Sequence, residues 1–172
     1  MKPFKRLHGL LIVLLILSFA SAPAVAEKYA PLGLKTLQGK PASLEQWVGK
    51  GKWVLVMFWA IHCKYCEMNK PAIDAFYKKH KDRDAVVVGV SIDGMDQIDA
   101  IRKKLRQSPT AYPNYVADLS LMALNYEAAA LEPFRGTPTY WFFSPKGELK
   151  AVNPGPVRLE ALEAYMARFS KN

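Results

Sequence analysis

Residues 54–59 and 85–91 are almost free of polar side chains, a pattern that predicts strands buried on both faces of a sheet. Between them, Met68, Ala72, Ile73, Phe76 and Tyr77 recur at helical spacing over residues 64–80. Pro71 lies inside this helix and, lacking an N–H, should kink it. Upstream, residues 32–37 alternate loosely and Gln38-Gly39-Lys40-Pro41 signals a turn, so a small N-terminal hairpin is expected. Ser43-Leu44-Glu45-Gln46 fits a capping box that opens a short helix ending near Gly49. Downstream, Asp93-Gly94 leads into a helix to about Gln107, residues 112–116 are short and extended, and Asp118 caps a helix to about Glu127. Residues 139–144 read as a third strand, Pro145-Lys146-Gly147 as a turn, residues 148–152 as the returning partner, and residues 158–169 as a final amphipathic helix. This order implies an α/β domain with a mixed central sheet flanked by helices.

The first 26 residues stand apart from that domain. Lys2, Lys5 and Arg6 precede an apolar stretch from Leu10 to Phe19, and Ala24-Val25-Ala26 supplies the small residues of a signal-peptidase site. Residues 1–26 are therefore expected to be a signal peptide cleaved before Glu27, leaving one domain over residues 27–172 in an extracytoplasmic, periplasm-like compartment. An uncleaved membrane anchor is the competing reading, although the strongly apolar part falls short of the roughly 20 residues that span a bilayer.

Charge narrows the partners. Losing Lys2, Lys5 and Arg6 takes the formal charge from +9 to +6, and the remaining basic clusters, Lys78-Lys79-His80-Lys81 and Arg102-Lys103-Lys104, fall where solvated helix faces are expected. No nucleic-acid motif surrounds them, and export argues against nucleic acid as a partner.

The chain holds two cysteines in 172 residues, Cys63 and Cys66, placed directly after the first buried strand where a helix can begin. A structural disulfide is a poor account of the pair, because closing so short a loop removes little entropy from the unfolded chain. Thiol-disulfide exchange is the simpler reading. Unpaired N–H groups and the dipole at a helix start favour a thiolate, so the more N-terminal Cys63 is the expected nucleophile and Cys66 the resolving thiol. Lys64 would stabilise that thiolate if it lies beside Cys63, or else is solvated; His62 offers a second cation or proton shuttle, or is a surface histidine. Tyr65 and Trp59 either flank a groove for a polypeptide or, for Trp59, pack the strand end. His62, Cys63, Cys66 and Met68 are also soft ligands bunched together, which keeps copper binding or delivery as an alternative, and a redox-inactive binding module is a third class.

Phe58-Trp59-Ala60-x-x-Cys63-x-x-Cys66, followed by Pro71, Gly136-Thr137-Pro138-Thr139 and Ser144-Pro145-Lys146-Gly147-Glu148, resembles the exported TlpA/ResA-like thiol-disulfide oxidoreductases. The resemblance covers nearly the whole chain after residue 26. It implies a thioredoxin fold with a central helix-strand insertion over residues 93–132 and a cis-proline loop at Thr137-Pro138 that faces the cysteines and pairs with an incoming peptide. It also implies no cofactor beyond the Cys63–Cys66 disulfide, and no metal. The expected partners are exported proteins bearing disulfides or thiols, with a membrane thiol as electron donor, acted on by a monomer that reduces them, cytochrome c maturation being one setting. Disulfide donation or isomerisation is the alternative direction. The chain departs from the family at Met57, where many thioredoxins carry a buried acid; Asp93 is the nearest acid after the second strand.

Overall fold

The computed structural model describes residues 32–169; the expected signal peptide at residues 1–26 and its cleavage point lie outside the described residues. One six-stranded sheet is built from β1 (Lys35–Thr36), β2 (Trp53–Trp59), β3 (Ala85–Ser91), β4 (Asn114–Val116), β5 (Thr139–Phe143) and β6 (Leu149–Pro154), in the order β1-β4-β3-β2-β5-β6. Around it lie α1 (Lys64–His80), α2 (Ile98–Gln107), α3 (Leu119–Ala130) and α4 (Leu159–Phe169). The sheet is mixed: β2, β3 and β4 run parallel, while β5 is antiparallel to β2, β6 to β5 and β1 to β4.

Every residue of β2 is buried, which requires apolar material on both faces. Side chains alternate along a strand, so Val54, Val56 and Phe58 enter one core with Met122 and Tyr126 of α3. Trp53, Leu55, Met57 and Trp59 enter the other with Ile73 and Phe76 of α1, Ile101 of α2 and Met166 of α4. Burial of each large apolar side chain is worth about 1.5–3 kcal/mol. The first core is further ordered by aromatics: Phe58 meets Trp141 edge-on at 5.2 Å, and Tyr126 stacks on Trp141 at 5.0 Å.

Register decides where the chemistry sits. Trp59 pairs with Ser91 and Phe58 with Thr139, so β2 and β3 finish, and β5 begins, at the same end of the sheet. The residues that follow β2 and β3 and precede β5 are therefore gathered there. The stretch after β3 is not a detached excursion, since β4 lies parallel to β3 and extends the sheet between α2 and α3.

Two local expectations change, and the N-terminal hairpin holds. The N-terminal hairpin forms as a short one: Thr36 N–H donates to Lys40 O at 2.8 Å and Ala42 N–H to Leu34 O at 2.9 Å around the bridge between Lys35 and Pro41, while β1 pairs with β4 on its other edge. The capping box does not close: Ser43 Oγ accepts from Glu45 N–H, and the Gln46 amide donates to Ser43 O, so the segment winds as a three-residue 3-10 turn at Leu44–Gln46. In α1, Met68 and Ala72 face solvent, and the buried side is Cys66, Lys70, Ile73, Phe76 and His80. The helical period holds but its phase is rotated, since hydrogen-bonded polar groups can occupy a buried face as well as apolar ones. His80 thus leaves the supposed solvated basic cluster: its ring lies between Asp84, 2.6 Å from Nδ1, and Glu163, 3.1 Å from Nε2. Pro71 lies inside α1, which runs on past it to His80.

Candidate active site

Cys63 caps α1 and Cys66 lies in its first turn. Their sulfurs are joined in a disulfide with Cα atoms 5.2 Å apart, and Cys66 N–H also points to Cys63 Sγ at 3.1 Å. Exposure separates the two: Cys63 is half-buried, whereas Cys66 is 1% exposed. A sulfur at the N-cap meets the unpaired amides and positive end of the helix dipole, which favour a thiolate. An incoming group can reach Cys63 and is screened from Cys66.

The turn between β2 and α1 is held from β3. Asp93 Oδ2 accepts from Ile61 N–H at 3.0 Å and from Ser91 Oγ at 2.6 Å, and Ile92 N–H donates to Trp59 O at 3.0 Å. The expected acid is therefore engaged with the backbone two residues before Cys63 and with a buried hydroxyl, so that it positions the turn. Gly94 follows with φ +82°, a left-handed conformation that favours glycine.

Trp59 is buried, with Nε1 donating to Asn114 Oδ1 at 3.0 Å. That answers the open question in favour of strand-end packing over an exposed groove wall. His62 and Lys64 are exposed beside Cys63, and Tyr65 and Met68 are exposed at 60% and 64%, leaving an accessible aromatic and thioether surface on the first turns of α1. On the β5 side, the Thr137–Pro138 peptide bond is cis. Thr139 Oγ1 donates to Gly136 O at 2.6 Å and Gly155 N–H to Pro138 O at 2.8 Å, fixing the loop that the sheet register brings to this end.

Sequence reasoning missed the surroundings of Cys66. Met57, Trp59, Cys66, Glu67, Lys70, Tyr112 and Asn114 line a cavity of about 10 Å³. Burial would raise the Glu67 carboxyl, but its hydrogen bond and charge interaction with Lys70, aided by Lys104, hold it below its ordinary range. The Tyr140 phenol, 3.5 Å from Asn69 Nδ2, is pushed up to about 12 by burial. The spacing of Lys70 four residues after Cys66 was the available signal for its place on the same helix face. Among the described residues no group of three or more His, Cys, Asp or Glu is arranged to hold a metal ion, and no helix is long and apolar enough to cross a membrane.

The chain is 26% identical over 117 residues to the thiol-disulfide oxidoreductase ResA of Oceanobacillus iheyensis, a match covering 68% of this chain and 57% of that one. The chain thus spans a little over half the length of that relative. Among solved structures, the thioredoxin domain of a thiol-disulfide oxidoreductase from Bacteroides vulgatus superposes with a TM-score of 0.63 at 24% identity, covering 80% of this chain and 95% of the other. An exposed lipoprotein thioredoxin of Streptococcus pneumoniae gives a TM-score of 0.61 at 26% identity, with 78% and 96% covered. The sheet and helices described above are accordingly a thioredoxin fold. A match to the AhpC/TSA family runs over residues 25–152, through β2, the two cysteines and the Thr137–Pro138 loop as far as β6, and on that extent the chain belongs to the AhpC/TSA family.

Proposed function

We propose that the protein is an exported thiol-disulfide oxidoreductase that reduces disulfides in extracytoplasmic partner proteins. The observation that carries this reading is the bonded pair of a half-buried Cys63 at a helix N-cap and a fully buried Cys66. In the reduced protein the Cys63 thiolate attacks a partner disulfide; the partner's S–S bond breaks, one partner sulfur leaves and takes up a proton, and a mixed disulfide remains. Cys66, having lost its proton, then attacks Cys63 Sγ, the Cys63–Cys66 bond forms, and the second partner sulfur leaves. Two electrons pass from the dithiol to the partner, and a thiol donor must restore them. Tyr65 and Met68 offer the exposed surface for a transient polypeptide contact, and the Thr137–Pro138 loop lies at the same sheet end to pair with an extended segment. Export is supported by the sequence of residues 1–26 and by likeness to a thioredoxin described as an exposed lipoprotein.

Trapping tests the assignment. Cys66→Ser should accumulate mixed disulfides with partners and Cys63→Ser should not, because only the first variant attacks without being able to resolve. The reverse pattern would refute the roles given to the two sulfurs. The direction is read by alkylating the exported protein after acid quenching: a mainly reduced pair supports reduction, and a stably oxidised pair in cells with intact electron supply favours disulfide donation.

A further inference from the structure

Lys70 is charged yet only 7% exposed, and the exchange steps above do not use it. Its Nζ donates to Ser108 O and Ser108 Oγ, both at 3.1 Å, and pairs with Glu67 Oε1 at 2.9 Å. It also lies 6.0 Å from the centre of the Trp59 ring. Three fixed partners and an aromatic neighbour hold this ammonium in one place, where a surface lysine would swing freely.

Its place bears on Cys66. The i, i+4 spacing puts both residues on one face of α1, and both line the cavity of about 10 Å³, close to the room one water molecule needs. A thiol buried as deeply as Cys66 is held in its neutral form by its surroundings, yet resolution requires the thiolate. Met57 beneath it carries no charge. A fixed cation across a water-sized space favours the ionised sulfur.

We propose that Lys70 is the positioning residue that lets the buried Cys66 thiol ionise for the resolving step, with Glu67 as the counter-charge that anchors the ammonium and partly offsets its field. This rests on the thiol-disulfide reading above. The Cys66 proton passes to water, the thiolate attacks Cys63 Sγ, the bond from Cys63 to the partner sulfur breaks as the Cys63–Cys66 bond forms, and the departing partner thiolate is protonated by water. The other ionisable groups around this region are few. Asp74 lies further along α1 and interacts with Lys70 through its charge. From α2, Lys104 Nζ comes within 3.5 Å of Glu67 Oε2. Tyr112 and Tyr140 are buried phenols that stay neutral through the physiological range. Asp93 is engaged with Ile61 and Ser91.

The test uses the reduced full-length protein mixed with dithiobis(nitrobenzoate) in a stopped-flow instrument. The first nitrothiobenzoate released reports attack by Cys63, and the second reports attack by Cys66, so the pH midpoint of the second phase follows Cys66 ionisation. Lys70→Gln should move that midpoint upward by about one pH unit, the lower end of what one neighbouring charge produces, while Lys70→Arg keeps it near the native value. Glu67→Gln should move it downward, since the cation then acts without its counter-charge. These opposite signs are not what a packing defect would give. An unmoved second-phase midpoint in folded Lys70→Gln, or shifts of the same sign in Lys70→Gln and Glu67→Gln, would overturn the proposal. Should Lys70→Gln fail to fold, Lys70→Met decides in its place: a raised midpoint supports the proposal and an unmoved or lowered one refutes it. Absence of any second release from the native protein would instead overturn the exchange reading itself, and this proposal with it.

Discussion

Replacing Asp93 by Ala should cost the folded protein about 3 kcal/mol and loosen the turn that carries Cys63. Two hydrogen bonds are lost, from Ile61 N–H at 3.0 Å and from Ser91 Oγ at 2.6 Å. Bonds to a charged acceptor are worth about 1.5–3 kcal/mol each. Ile61 is half-buried, so water can replace part of its loss, and about 1 kcal/mol is assigned to it. Ser91 is fully buried, and its O–H loses its acceptor there while Oγ still accepts from the Asp93 N–H, at a cost of about 2 kcal/mol. For a domain of this size each kcal/mol lowers Tm by roughly 2–4 °C, so a fall of about 6–12 °C is expected. The assay is thermal and urea unfolding of the oxidised protein followed by circular dichroism, with Asp93→Asn as the comparison. The amide keeps an acceptor oxygen and should lose only about 1 kcal/mol, the difference between a charged and a neutral acceptor. An Ala variant within about 0.5 kcal/mol of the native protein, the range of an ordinary surface substitution, would refute the view that this carboxylate holds the turn.

Two other predictions concern packing and pH. A Cβ on Gly89, in the middle of β3, would collide with Asn114 Oδ1 and come within 2.9 Å of Asn114 Cγ, so Gly89→Ala must displace the side chain that accepts from Trp59 Nε1. It should destabilise by about 1–3 kcal/mol, as overpacked sites do, and alter Trp59 fluorescence; native stability with an unchanged emission spectrum would contradict the contact. Glu163 is held below its ordinary value of 4.5 by Lys79 and then His80; burial would raise the Asp84 carboxyl, but the hydrogen bond and charge of His80, with Arg83, hold it below 3.8. Carboxyls depressed in the folded state contribute stability that is complete above their unfolded values and disappears as pH falls through the folded ones. Acid unfolding should therefore steepen below about pH 4.5, and Glu163→Gln should flatten that dependence while lowering stability at pH 7; a variant whose stability falls with acid as steeply as the native protein would refute the linkage.

Residues 54–59 and 85–91 disclosed β2 and β3 because a strand covered on both faces has no polar side to conceal it, and the two cysteines after β2 marked the site through their scarcity and spacing. Turn chemistry at residues 145–147 and the Asp118 cap, whose carboxylate accepts from Ser120 and Leu121 N–H, were likewise local and legible. The buried phase of α1 was not. Met68 and Ala72 look like core residues and are exposed, whereas Lys70 and His80 look like surface residues and are buried, because their partners Ser108 and Glu163 arrive from 38 and 83 residues away. Asp93 presented itself as an acid near a strand end; only the pairing of Trp59 with Ser91 sets it against the Ile61 amide. Local signals follow from the backbone geometry of neighbouring residues, so the sequence by itself determined the elements and the cysteine pair. Which polar group is buried, and what it faces, depends on segments that meet only when the sheet closes in register, and that the tertiary structure alone decided.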